Sequence, residues 1–460
     1  MKSIDRQILS LAIPSILAGI TVPLVGMVDI AVAGHLGSDG ASFIGGITIG
    51  SMLFDLLYWN FAFLREGTGG ITAQAFGRGD TKACAETLVR AVGISAVSAL
   101  ALLLLQWVFV WFVFLFIDCS PAVSSLARTY FFIRIWAAPA TLGRMAFAGW
   151  FIGMQDTVRP MVSDLIVNGL NILLSLALGF GWGPFPAMGF SGVALGTVVA
   201  QYAGLVYFAV ALVSRHRSLL RGIGIRHAFK GGGMKDFMGT NVDLVVKSIC
   251  FIGIYIGFTL ISARYGDLLL ASSAICMKLF MFCSYFTDGF AYAGEAMTGK
   301  YIGMGDRPSV RLTVRHIFLW TAGISVLFVS LNTFASGPLF RLMSDDTSVV
   351  DSCRNFIPWL ALVPLMGCPA FAWDGIYIGA TATRAIRDSS IWALASFLAV
   401  WFAGRAVAGL PSSADPAAML TDGLPVGLVA MHLLFLAYFS HLLARTLTLT
   451  VRYRRTILEF

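Results

Sequence analysis

Twelve apolar segments, each near or above the length needed to cross a bilayer, recur along this chain. A transmembrane helix needs about 20 apolar residues to span roughly 30 Å of hydrocarbon. The segments lie at 8–36, 41–64, 86–117, 123–153, 160–182, 187–213, 238–263, 268–293, 312–336, 347–380, 387–410 and 423–450. Of the 460 residues, 58% are hydrophobic and 12% are charged, whereas soluble domains carry about 25% charged residues. The pattern predicts an all-α polytopic membrane protein.

The distribution of basic residues orients these segments. Most of the 32 Lys and Arg residues lie in the N-terminal tail, the even-numbered loops and the C-terminal tail. The opposite loops carry five: Arg128, Arg264, Arg341, Arg354 and Arg405. Cytoplasmic loops are enriched in Lys and Arg, so we expect both termini in the cytoplasm of a multi-pass plasma membrane protein. The same asymmetry explains the net charge of +8 without a nucleic-acid partner.

The longest basic segment lies near the middle of the chain. Residues 214–235 read SRHRSLLRGIGIRHAFKGGGMK, and their glycine run is typical of a flexible linker. We therefore predict an N-terminal six-helix lobe at 1–213, a basic cytoplasmic linker at 214–237, a C-terminal six-helix lobe at 238–450 and a cytoplasmic tail at 451–460.

The two halves share a repeat with a constant offset of 226 residues. Eight residues of the first half recur at that offset: Gly149, Ile152, Gly153 and Thr157 as Gly375, Ile378, Gly379 and Thr383, and Thr72, Gly77, Gly79 and Asp80 as Thr298, Gly303, Gly305 and Asp306. Six helices to a half is an even number, so both halves insert in the same orientation. Such parallel repeats are typical of secondary transporters, whose substrate sites lie near the membrane midplane.

The first segment contains one aspartate, Asp29, in PLVGMVDIAVAGHLG (23–37). A charged carboxylate at mid-bilayer costs roughly 2.5–3.5 kcal/mol on insertion scales, so Asp29 needs a partner, a water-filled cavity or a proton. Small and polar residues share its helix face and predict that this face meets protein or a cavity: Ser15, Gly19, Gly26 and Ala33. Pro14 and Pro23 remove backbone donors and should make the helix bendable.

The fifth segment offers a matching polar face. Its polar residues are spaced 4, 3 and 4 apart and therefore share one side of a helix: Asp164, Asn168, Asn171 and Ser175. Amides and hydroxyls also hold membrane helices together without any further role. An acid and two amides facing Asp29 favour a functional site.

Other acids lie within the predicted spans. Asp55 is in the second, Asp288 and Glu295 are in the eighth, and Asp374 is in the tenth beside Tyr377. These five residues form a possible substrate or second-lobe polar site. Asp374 either neutralises a buried base such as Lys278 or meets a cationic substrate. Asp243 and Lys247, four residues apart on the seventh span, are expected to neutralise each other.

Residue patterns for catalysis and metal binding are missing from the sequence. The seven cysteines form no C-x-x-C pair and are expected to be small buried apolar residues. A membrane-embedded enzyme needs a nucleophile–base pair or a metal cluster within the spans. His216 and His227 fall in the linker, and the sequence contains no H-E-x-x-H. We predict no catalytic residue, no resident metal and no cofactor other than a coupling ion.

Four ordered segments resemble the multidrug and toxic compound extrusion (MATE) family, and most of all its DNA-damage-inducible protein F (DinF) branch. They read IPSILAGITVPLVGMVDIAVAGHLG (13–37), FLREGTGGITAQAFGRGD (63–80), DGFAYAGEAMTGKYIGMGD (288–306) and WDGIYIGATATRAIRD (373–388). The resemblance implies twelve helices in two lobes around a central cavity. It also implies a monomer in a bacterial inner membrane that exports organic cations, drugs or amphiphiles against H⁺ or Na⁺.

The resemblance also assigns roles to residues. Asp29 matches the family's coupling aspartate on the first helix. The fifth-helix pattern N-x-x-N-x-x-x-D reads NGLNILLS here, so Asn168 and Asn171 match while Ser175 stands where a second acid is expected. Thr197 matches the hydroxyl of the sixth helix, and Asp374 matches the D-G-x-x-I-G motif. Because a Na⁺ cage favours several charged oxygens, loss of the second acid favours H⁺ coupling.

The alternative is a flippase of lipid or lipid-linked oligosaccharide, which related folds also include. A flippase needs a strongly cationic cavity for pyrophosphate. The basic residues within the predicted spans are few and nearly balanced by acids, which disfavours this function.

Overall fold

A computed structural model describes residues 4–36, 40–115, 117, 119–182, 186–220, 229, 232–411 and 425–459. Helices dominate all of these ranges, and the predicted all-α polytopic class is confirmed. In chain order the helices are α1 (Ile4–Gly34), α2 (Gly40–Trp59), α3 (Phe63–Gly77), α4 (Thr81–Val113), α5 (Pro121–Arg134), α6 (Ala138–Gly153), α7 (Val158–Phe180), α8 (Phe190–Leu220), α9 (Gly232–Ala263), α10 (Asp267–Gly303), α11 (Arg307–Phe334), α12 (Ser336–Met343), α13 (Thr347–Arg354), α14 (Ile357–Gly379), α15 (Thr383–Val407) and α16 (Val426–Tyr453).

Within the described residues, eleven helical stretches are long and apolar enough to cross a membrane. The fourth predicted span, 123–153, is not among them, because it is not the single continuous helix that the sequence predicts. It consists of α5 and α6, joined by a 3₁₀ turn at Ile135–Ala137. Pro139 has no N–H to bond the carbonyl group four residues earlier, so the α-helical ladder is interrupted at this turn.

Two other predicted spans also differ from the helices of the structure. The second, 41–64, breaks after Trp59 and continues as α3, whose buried face includes Glu66 and Thr72. Most of α3 therefore lies between the second and third predicted spans, which end at 64 and begin at 86. The tenth, 347–380, consists of the short helix α13 followed by α14.

The described chain divides into two compact units. The N-terminal unit is Ile13–Asn241, and the C-terminal unit is Val242–Phe460 together with the chain up to Ala12. Asp5 belongs to the C-terminal unit, where its carboxylate accepts hydrogen bonds from Trp320 and contacts His316. Of the predicted linker, residues 221–228 and 230–231 lie outside the described residues, and the predicted lobe boundaries stay a prediction.

The repeat seen in the sequence recurs in the backbone of each unit. The turn before α4 places Gly79 at φ 71°, and the turn before α11 places Gly305 at φ 72°. Asp80 and Asp306 then cap their helices by accepting a backbone N–H three residues on, at 2.9 and 3.1 Å. Because these pairs are 226 residues apart, the same local structure is built twice.

Close helix packing repeats as well. A Cβ atom on Gly149 of α6 would collide with the carbonyl oxygen of Arg65 on α3, and one on Gly375 of α14 would collide with that of Ala291 on α10. Both contacts obey the 226-residue offset. Glycine at these positions lets two helix backbones approach closely, as small residues do in membrane proteins.

We expect Gly149→Ala and Gly375→Ala each to destabilise the protein by about 1–3 kcal/mol, because a backbone carbonyl cannot move aside for the added methyl group. Thermal unfolding of the purified variants measures this. Gly323→Ala is the control, because a Cβ there meets no atom within 4 Å. An unchanged midpoint in both interface variants would contradict the packing argument.

Candidate functional site

Four polar side chains from three helices of the N-terminal unit form a connected cluster, which we call the Asp29 cluster: Asp29, Asn171, Ser175 and Thr197. The Ser175 hydroxyl lies 3.0 Å from Asp29 Oδ1 and 3.1 Å from Asn171 Oδ1. The Asn171 amide donates to Thr197 Oγ1 at 3.0 Å. All four side chains are buried. The structure thus brings together four of the five residues predicted for coupling.

The fifth, Asn168, contacts α1 at Thr21, which is about two helical turns before Asp29. Its amide donates to Thr21 Oγ1 on α1 at 2.5 Å. Helix α7 therefore holds α1 at two points, Thr21 and Asp29, and Pro23 lies between them. Since proline removes one backbone hydrogen bond of the helix, the hydrogen bonding of α1 is interrupted at Pro23, which lies between its two contacts with α7.

The small-residue face of α1 is only partly covered within the described structure. Ala33 and Asp29 are buried, but Gly26 is exposed and a Cβ there would meet nothing within 4 Å. Asp29 itself is 7% exposed. Its carboxylate is therefore held in the protein interior rather than facing outward.

Arg134, at the end of α5, was not singled out by the sequence interpretation. Its guanidinium donates to the Tyr130 hydroxyl at 3.1 Å and to Ser51 Oγ at 3.4 Å, and it lies 4.8 Å from the centre of the Phe54 ring. It is also close enough to Asp29 to interact electrostatically. A basic residue inside a predicted span was the available signal, because such residues are usually functional or paired.

Asp164, the first residue of the polar face of α7, belongs to a different group. It forms an ion pair with Arg144 of α6 at 2.5 Å. Arg144 also donates to Gln201 of α8 and, at 3.2 Å, to Ser163 Oγ. These contacts neutralise and hydrogen-bond the Arg144 charge, so Asp164 has a partner of its own.

In the C-terminal unit, Asp374 forms ion pairs with two buried bases. It accepts a hydrogen bond from Arg445 of α16 and lies 3.3 Å from Lys247 Nζ of α9. Arg445 is completely buried, and its guanidinium lies 4.3 Å from the centre of the Phe251 ring. Lys278, the base suggested from the sequence, is exposed instead.

The expected pairing of Asp243 with Lys247 is wrong. Asp243 accepts from Arg387 Nη1 at 2.8 Å and from the Thr383 hydroxyl at 3.0 Å, both on α15. Lys247, one turn further along α9, reaches Asp374. Helix neighbours four residues apart pair where both are solvated; here two packed helices supply closer partners.

The remaining candidates lie on α2, α10 and α14. Tyr377 is buried and its hydroxyl donates to the Leu449 carbonyl at 2.6 Å, which ties α14 to α16. Glu295 is fully buried on α10, where its backbone packs closely against Gly379 of α14. Asp288 is half-buried on α10 and Asp55 is exposed on α2.

Comparison with known proteins identifies the family. The MatE family model matches residues 14–177 and 244–400, one stretch in each half of the chain. DNA damage-inducible protein F of Escherichia coli (strain K12) is 31% identical over 401 residues, covering 86% of this chain and 85% of that protein. The chain belongs to the MatE family. Both the family and the branch that the sequence resembles are confirmed.

Other MatE relatives and solved MATE structures agree with this assignment. The probable multidrug resistance protein NorM of Thermotoga maritima is 22% identical over 408 residues, or 89% of this chain and 86% of that protein. A crystal structure of MATE in the bent conformation matches with a TM-score of 0.81 at 15% identity, over 98% of this chain and 96% of that one. This match confirms the predicted MATE-type fold.

Proposed function

We propose that this MatE protein is a proton-coupled antiporter that exports organic cations, drugs or amphiphiles, with Asp29 as the coupling carboxylate. The observation that carries the proposal is the hydrogen bond between Ser175 and the buried Asp29 carboxylate. A buried acid on a proline-containing helix is well placed to link protonation to helix shape.

The chemistry of the cluster favours H⁺ over Na⁺. Hard cations are bound by several oxygen ligands, carboxylates prominent among them, but the Asp29 cluster contains a single carboxylate. A protonated acid both donates and accepts hydrogen bonds, whereas a carboxylate only accepts. Asp29 can therefore exchange hydrogen bonds with Ser175 when it gains or loses its proton, and no metal ion is needed.

The position of Pro23 connects this exchange to transport. Asn168 holds Thr21, and Ser175 holds Asp29, on either side of the proline. A new hydrogen-bonding pattern at Asp29 would change how α1 bends between these points. Proton entry from outside would release substrate outward, and proton loss to the cytoplasm would reset the protein. By linkage, proton and substrate each weaken the binding of the other.

The proposal also includes the membrane, the orientation, the oligomeric state and the partners of the protein. We infer that both termini lie in the cytoplasm, because Lys and Arg are concentrated on that side. From the family we further infer a monomer in a bacterial inner membrane. Its partners are a small cationic or amphiphilic substrate and the lipid bilayer. Alternating access of the two repeats would carry the substrate across.

Proteoliposomes loaded with acidic buffer test the coupling ion. The probe is ethidium, which is permanently charged and so does not accumulate as a weak base, and the membrane potential is clamped with potassium and valinomycin. We expect ethidium accumulation with a pH gradient alone. We expect accumulation no greater than in protein-free liposomes with a Na⁺ gradient at equal pH. Accumulation driven by the Na⁺ gradient alone would overturn proton coupling.

A further inference from the structure

Two cysteines of the C-terminal unit contact each other in the wall of a cavity. Cys283 of α10 and Cys368 of α14 are buried, and their sulfur atoms are 3.9 Å apart. The Thr287 hydroxyl donates to Cys368 Sγ at 3.4 Å. The two residues are 85 positions apart in the chain, so no spacing in the sequence indicates this contact.

A cavity borders both cysteines. It has a volume of about 60 Å³ and is lined by Cys283, Cys368 and Met281, by Ser284 and Thr287, and by aromatic and aliphatic side chains. Phe280, Phe371 and Tyr438 form its aromatic wall. Two thiol residues and one thioether residue therefore line one mostly apolar space, and no Asp or Glu is among its described lining residues.

We propose that this cavity binds a soft monovalent metal ion of the copper(I) or silver(I) class, with Cys283 and Cys368 as its ligands. Thiolate and thioether sulfurs select soft ions such as copper(I), whereas carboxylate and carbonyl oxygens select hard ions. Ions of this class accept two ligands, so the pair suffices, and Met281 also lines the cavity.

The binding step balances without an oxidant. The metal ion replaces the proton of one thiol: the S–H bond breaks, an S–metal bond forms, and the proton leaves to solvent. The second sulfur donates a lone pair and keeps its proton. Because one positive charge replaces another, the apolar cavity gains no net charge. Burying an uncompensated charge would be costly, so this stoichiometry fits the cavity.

The test is protection from alkylation on the purified full-length protein. Silver(I) is added at one equivalent, N-ethylmaleimide follows, and mass spectrometry of peptides gives the alkylation rate of each cysteine. We expect Cys283 and Cys368 to be protected together by about tenfold or more. Replacing either cysteine by serine should weaken silver binding by about 10-fold or more. Residues that only orient the ligands of a metal site already change metal affinity by about 10- to 100-fold when they are mutated.

A second cysteine pair provides the matched control. Cys276 and Cys353 also interact with each other, but they do not line the cavity. Cys276→Ser and Cys353→Ser should leave protection of the cavity pair unchanged. Two results would overturn the proposal: equal protection of the two pairs, or full protection of Cys283 in the Cys368→Ser variant.

Discussion

Asp29→Asn should reduce proton-driven export to the level of protein-free liposomes while leaving the protein folded. Asparagine has nearly the shape of aspartic acid, and its amide both donates and accepts hydrogen bonds as the protonated acid does. The contact with Ser175 is therefore kept, but the proton exchange is lost. The measurement is ethidium accumulation in proteoliposomes under a pH gradient, with thermal unfolding as the check on folding.

The same variant should lose the pH dependence of substrate binding. If proton and substrate weaken each other's binding, the wild-type protein binds ethidium more tightly as pH rises and Asp29 loses its proton. In Asp29→Asn the affinity should be nearly constant across that range. Asp351→Asn is the control, because its side chain is 65% exposed. Undiminished proton-driven export by Asp29→Asn would remove Asp29 from the mechanism.

Local patterns in the sequence were sufficient to predict most of the Asp29 cluster. The 4, 3 and 4 spacing on α7 depends only on helix geometry, and the structure accordingly places Asn168 and Ser175 toward α1. The repeat was visible for the same reason, because tight turns and close helix contacts demand glycine at fixed positions. Gly79 and Gly305 adopt the left-handed conformation that glycine tolerates best.

Contacts that depend on which helices pack together could not be read in this way. Arg445 lies in the last span, close to the basic C-terminal tail, and a basic residue in that position is expected to be exposed to solvent. The fold instead buries Arg445 against Asp374. Lys247 had an acid four residues away, and only the packing of α9 with its neighbours decides between Asp243 and Asp374. The Cys283–Cys368 contact is a further case, since it joins distant helices.

Asp374→Ala should destabilise the C-terminal unit by about 3–5 kcal/mol, the usual cost of removing one partner from a buried ion pair. The variant leaves the completely buried Arg445 and the buried Lys247 without their shared carboxylate. The midpoint of thermal unfolding of the purified protein measures the effect. Asp388→Ala is the control, because Asp388 is 34% exposed in its ion pairs and surface pairs contribute at most about 1 kcal/mol.

Removing the charges together separates a structural role from a substrate role. A triple variant with Asp374→Leu, Lys247→Met and Arg445→Met should regain most of the lost stability, because apolar residues of similar volume can replace a buried ionic group. The alternative, in which Asp374 meets a cationic substrate, predicts the opposite pattern. Asp374→Ala would then unfold at the wild-type temperature and bind ethidium more weakly, and the triple variant would restore nothing.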